Sequence, residues 1–295
     1  MKMSIVKPFV LTPRMEEILK AIHFYRFMTA QDVTRLFYSP SSLRHVREIL
    51  APLAGGADFK PNQYLYRFQL PHITTGNRER IYTLGHRGRE FLVQDVGLTV
   101  DWWFRPFKIK HLTYGQIIHD LVLTRFCVAA AAWAAKQPAF KLVQTRTCYE
   151  LAKMGKVVPD AWLLFERLKG SVHETYFPVL LEIDRGMEHQ NKFKQHLRSR
   201  LEFVKKGGAY SKMFGQEAVM IAYVTTSETA RYRETRVRAM CTWASEVLKE
   251  LGKTNWSPIF RFASVVFDDL YSSPIFDEPV WFRSDSSSPV TLFTP

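Results

Sequence analysis

The chain has 295 residues, 46% of them hydrophobic and 23% charged, enough for one large or two modest domains and too apolar for wholesale disorder. Its net charge of +13 favours a polyanionic partner, most often nucleic acid, and residues 1–110 hold most of the excess, with 17 Lys+Arg against 9 Asp+Glu. The longest unbroken apolar run, 126–135, is too short to cross a bilayer, the N-terminus has no apolar signal core, and Cys127, Cys148 and Cys241 lack metal-ligand spacing, so a cytoplasmic protein with no membrane partner is expected.

Residues 1–10 read as an extended arm. Thr12-Pro13 then joins a cap residue to a proline at the first helical position, and Met15, Ile18, Leu19 and Ile22 keep helical spacing. Thr29 caps a second short helix carrying Val33, Leu36 and Phe37. The serine-rich turn 39–42 opens a third, running to about Leu53. There Leu43, Val46, Ile49, Leu50 and Leu53 share one arc, and Arg44, His45, Arg47 and Glu48 the other. Ser41 and Ser42 at its start suit phosphate. Arg44, His45 and Arg47 suit the DNA major groove. An ordinary amphipathic helix with a basic solvated face would look the same.

Strands follow at 64–70 and 79–84, linked by a loop with Gly76-Asn77. Three helices and a hairpin make a winged helix, with Arg67, Arg78 and Arg80 on or near the wing, where they reach phosphates or the minor groove. Such a module can also bind protein. The winged-helix domain is set at 1–96, and an aromatic linker with Trp102 and Trp103, expected to pack down, at 97–112.

The second domain, 113–266, opens with an Ala-rich helix at 114–135. His111, His119 and Asp120 could form a metal site there, though polar residues at a helix start are commoner. A strand is expected at 141–151, and two more within 157–186. Folding that stretch about residue 171 sets Asp160 beside Glu182. Alternation points Glu182 and Asp184 to one face. Three acids thus meet at the end of an apolar hairpin, where burial is costly without neutralisation. Two readings stand. A hard divalent cation, Mg2+ or Mn2+, binds among them, or Asp160 is a turn residue and the other two pair with Arg or Lys. The helix 187–206 carries Phe193, Leu197, Leu201 and Val204 on its core stripe, Lys194, Arg198 and Lys205 on one flank and Lys192 on the other side. After a strand at 218–224, the helix at 227–251 displays Arg231, Arg233, Arg236 and Arg238, most simply a solvated face. A strand at 259–266 precedes a Ser- and Pro-rich tail, 267–295, expected to wrap the surface.

This order, with Pro159-Asp160 opening one strand and Glu182-x-Asp184 closing the next, resembles the PD-(D/E)xK nuclease-like superfamily. Over residues 11–265 the chain is similar to the replication-relaxation family, on Pro159-Asp160-Ala161 and Leu181-Glu182-Ile183-Asp184-Arg185-Gly186. The resemblance implies an α/β (α+β) fold, a winged helix-turn-helix followed by a restriction-endonuclease-like mixed sheet. It also implies a DNA-binding protein of a plasmid or mobile element, linked to replication or DNA processing, with double-stranded DNA as partner. A homodimer or other replication or mobilisation proteins would be further partners. The superfamily implies metal-dependent DNA cleavage, with Asp160 and Glu182 holding Mg2+ (or Mn2+) to activate a water. Its lysine position is Asp184 here, a further ligand or proton acceptor, and Lys192 and Lys194 are candidates for a displaced lysine. The expected catalytic set is therefore Asp160, Glu182, Asp184, Lys192 and Lys194, with Asp160, Glu182 and Asp184 as metal ligands. Arg198 is added to the DNA contacts. The alternative is a catalytically inactive nuclease fold serving replication initiation, or a transcriptional regulator.

Overall fold

The structure, a computed structural model, describes residues 10–55, 62–69, 79–100, 112–155, 157–168, 175–186, 188–226, 230–267, 269–272 and 274–294. It divides into two units, Met1–Thr124 and Arg125–Pro295. Most of the expected linker, including Trp102 and Trp103, lies outside the described residues.

In the first unit, α1 (Pro13–Tyr25) starts where expected. Thr12 Oγ1 accepts from the Met15 amide at 3.3 Å, and the helix buries Ile18, Leu19 and Ile22. A two-residue strand, β1 (Met28–Thr29), follows without a sequence signal. α2 (Ala30–Phe37) begins with a capping box. Thr29 Oγ1 accepts from Asp32 N at 3.2 Å, and Asp32 Oδ2 accepts from Thr29 N at 2.5 Å. One turn of 3-10 helix, Pro40–Ser42, leads into α3 (Leu43–Ala54), which buries Val46, Leu50 and Leu53. Strands β2 (Leu65–Phe68) and β3 (Ile81–Leu84) and helix α4 (His86–Gln94) complete the unit. Its three strands run antiparallel in the order β1-β3-β2. Gly88 lies so close to β2 that a Cβ would stand 2.2 Å from the Tyr64 carbonyl oxygen, which excludes any side chain.

Helix α5 (Tyr114–Ala134) carries residues of both units. By length and composition it could cross a membrane, but 72% of its apolar window is buried in protein. Its Arg125 is 1% exposed. The guanidinium donates to the Phe267 carbonyl at 3.0 Å and lies 3.8 Å over that ring.

The second unit continues with β4 (Phe140–Thr147), α6 (Cys148–Leu151), β5 (Ala161–Arg167), β6 (Thr175–Asp184), α7 (Gln190–Val204), α8 (Ala209–Phe214), β7 (Met220–Thr226), α9 (Ala230–Glu250), β8 (Phe260–Val265), β9 (Trp281–Arg283) and β10 (Ser286–Val290). They form a seven-stranded sheet in the order β10-β9-β8-β7-β6-β5-β4, parallel at β6–β7 and β7–β8 and antiparallel elsewhere. Trp162, Leu180, Tyr223 and Phe262 of the sheet pack with Phe193, Leu197 and Leu201 of α7 and Val237, Met240 and Ala244 of α9. Pro178 fits inside the interior strand β6 because the β7 ladder begins one residue later, at Val179↔Met220. The tail does not simply wrap the surface. β9 and β10 extend the sheet, and Trp281, Leu292 and Phe293 are buried.

Candidate functional site

The three acids meet where β5 enters and β6 leaves the sheet. Ala161 pairs with Leu181, and the same register continued sets Asp160 against Glu182, as the sequence suggested. Asp160 also extends the ladder. Its amide donates to the Leu181 carbonyl at 3.1 Å, and its Oδ2 accepts from the Ile183 amide at 2.7 Å.

Glu182 and Asp184 share a face, and each meets an arginine from a covering helix. Arg200 of α7 binds Glu182 with two donors, Nε to Oε1 and Nη2 to Oε2 at 3.1 Å, and Nη2 also donates to the Val158 carbonyl at 3.0 Å. Arg236 of α9 forks onto Asp184, with Nε to Oδ2 at 2.8 Å and Nη2 to Oδ1 at 2.9 Å. The Arg236–Asp184 pair keeps only 7% and 5% of its side-chain exposure, and the guanidinium stacks 5.0 Å over Trp243. Burial raises the Glu182 carboxyl to about 7. Arg200 opposes the rise and the neighbouring Asp160 adds to it. Tyr223 stands beside Glu182 in the parallel register, and burial pushes its phenol well above the ordinary value. Its hydroxyl is buried with no hydrogen-bond partner among the described residues.

This donor set does not fit a divalent cation as it stands. A metal ligand must turn free oxygen lone pairs to the ion, whereas Glu182 and Asp184 each turn both oxygens to a guanidinium. Among the described residues no three His, Cys, Asp or Glu side chains are grouped to hold a metal. Arg236, expected on a solvated face, is instead 7% exposed. Lys194 binds Glu246 of α9 at 2.6 Å, Lys192 binds Glu188 at 3.4 Å and Arg198 pairs with Glu250. Lys194 and Arg198 thus have their acidic partners on α9, while Lys192 pairs with Glu188, whose own charge bears on Glu182. The polar start of α5 is explained without metal, since Arg26 Nη1 reaches Asp120 at 3.0 Å and His119 Nδ1 lies 3.5 Å from it. His111 lies outside the described residues.

Of the expected DNA contacts, Arg44, His45 and Arg47 are exposed along α3, with Arg44 93% exposed and 3.1 Å from Glu48. Ser41 and Ser42 cap nothing. Their hydroxyls bond Ser39 Oγ at 2.9 and 3.1 Å, so the first turn of α3 has no side-chain cap. Arg67 is half-buried on β2 and Arg80 exposed just before β3. Arg78 lies outside the described residues.

A family model described as replication-relaxation matches residues 19–220, more than half of the chain. The chain belongs to this family. No curated protein and no solved structure is found similar to it. Family membership points to a role in the replication or processing of plasmid or mobile-element DNA. In this replication-relaxation protein the run Leu181–Gly186 ties β6 to both covering helices. Gly186 takes φ +72°, its carbonyl accepts from the Tyr232 hydroxyl of α9 at 2.7 Å, and a Cβ there would stand 2.7 Å from the Tyr232 ring. Sequence reasoning missed Arg200, Arg236, Tyr223 and Tyr232. Spacing held a signal for two of them. Arg200 stands seven after Phe193 and Arg236 four before Met240, both in phase with buried stripes.

Proposed function

We propose that this protein binds duplex DNA in the cytoplasm as an accessory of plasmid or mobile-element replication and does not cut it. Its first unit acts as a winged helix that presents α3 and the β2–β3 strands to DNA. The second is a nuclease-like scaffold whose acidic motif serves architecture. One observation carries this reading: Glu182 and Asp184, two of the three carboxylates expected to hold the metal, are gripped bidentately by Arg200 and Arg236. Buried charges held in this way are compensated by protein alone, and no ion is needed for neutrality.

The test uses supercoiled plasmid and short duplexes with Mg2+ or Mn2+. Duplex binding that falls steeply with salt, without nicking above an Asp160→Ala control, is expected. Metal-dependent nicking that Asp160→Ala abolishes would overturn the non-catalytic part.

The second reading is a metal-dependent DNA endonuclease using Asp160, Glu182 and Asp184 with Lys192 or Lys194. It is favoured by the unsatisfied Tyr223 hydroxyl beside Glu182, which water or a ligand would satisfy. It requires both arginines to leave their carboxylates.

A further inference from the structure

Strands β2 and β3 and helix α3 bring three arginines to one phenol. Arg67 stands directly opposite Tyr82 in the β2–β3 register, and opposed side chains share a face. Arg80 precedes Tyr82 by two residues, so alternation puts it on that face as well, where its charge acts on the Tyr82 phenol. Arg47 of α3 lies close enough for its charge to act on the same phenol. Burial raises the Tyr82 pKa while Arg80, Arg67 and Arg47 each lower it. Tyr82 is 2% exposed, whereas Arg47 and Arg80 are open to solvent. Among the described residues none of the three arginines is in a salt bridge, and Glu48, next to Arg47, is held by Arg44. Three cations are thus gathered on a fixed base, none of them in a salt bridge among the described residues.

We propose that Arg47, Arg67 and Arg80 form one seat for a single nucleic-acid phosphate where α3 meets β2 and β3, with Tyr82 as the positioning residue. Guanidinium forks match phosphate oxygens in geometry and charge. The seat rests on the DNA-binding reading and deepens it by fixing where the backbone docks, hence the register of α3 along the groove.

Duplex binding is measured across salt concentrations for the wild type, Arg47→Gln, Arg67→Gln, Arg80→Gln, the triple variant and Tyr82→Phe, with circular dichroism to check folding. Each single Gln variant is expected to weaken binding about tenfold, the effect of losing a charged hydrogen bond. The triple variant should lower the magnitude of the salt slope by about 0.9, the value for one phosphate. Tyr82→Phe keeps every charge and should weaken binding with the slope unchanged. A fall of about 2.7 in the triple variant, one phosphate per arginine, would overturn the single seat. An unchanged slope would overturn it too, while wild-type binding kept the DNA reading standing. If the wild type fails to bind duplex, that reading falls, and titration with inorganic phosphate decides the seat. Joint NMR shifts of the Arg47, Arg67 and Arg80 Nε–Hε signals, lost in Arg67→Gln, would keep a phosphate seat, and still signals would remove it.

Discussion

Arg236 and Asp184 bury opposite charges with almost no access to water, so removing one partner strands the other. Asp184→Asn should destabilise the second unit by about 3–5 kcal/mol in urea denaturation, the usual cost of breaking a buried pair. Replacing both, Asp184→Leu with Arg236→Met, should recover most of that loss, because no unpaired charge remains. Trp243, stacked on Arg236, supplies the fluorescence signal. Glu182 makes a separate prediction about pH. Its carboxyl is raised from the ordinary 4.5 to about 7, so between those values the folded protein binds more protons than the unfolded chain. The stability it contributes is full below about 4.5 and is lost as pH rises through about 7. Relative to Glu182→Gln, the wild type should therefore lose stability across that window and hold a constant difference outside it. A difference that is flat from pH 4 to 8 would mean that Arg200 keeps the carboxylate ionised throughout.

Elements were legible where local chemistry decides them. The Thr12-Pro13 start of α1 and the Thr29 cap of α2 need only neighbours in sequence, and both stand as expected. Thr29→Ala removes the side-chain half of the capping box, while the residue-29 amide can still donate to Asp32, and should cost about 1 kcal/mol, read as a lower thermal midpoint of the first unit. Gly186→Ala must hold a left-handed φ and push its Cβ into Tyr232. A cost of about 1–3 kcal/mol is expected, while Tyr232→Phe, which loses one hydrogen bond, should cost about 1 kcal/mol. The pairing of Asp160 with Glu182 was legible because both lie equally far from one turn. The choice of partner for those acids was not. Four arginines line the sequence of α9, and only the packing of α9 on the sheet selects Arg236 for the inside. β9 and β10 were hidden for another reason. Serines and Pro289 have low strand propensity, and they are tolerated because β10 is an edge strand.

For the whole molecule, the family match points to a role in plasmid or mobile-element replication or processing, and the basic excess favours a polyanionic partner. What the acidic motif contributes depends on the layers around it, since the same three carboxylates can hold an ion or hold arginines. The helices α7 and α9 deliver one guanidinium to each of Glu182 and Asp184, which is why the proposed reading gives these acids arginines and no ion. The most direct measurement is calorimetric titration of the full chain with Mn2+, beside Asp160→Ala and Glu182→Gln. No binding that depends on these acids is the expected result. Stoichiometric Mn2+ binding that disappears in both variants would contradict it and return the site to metal chemistry.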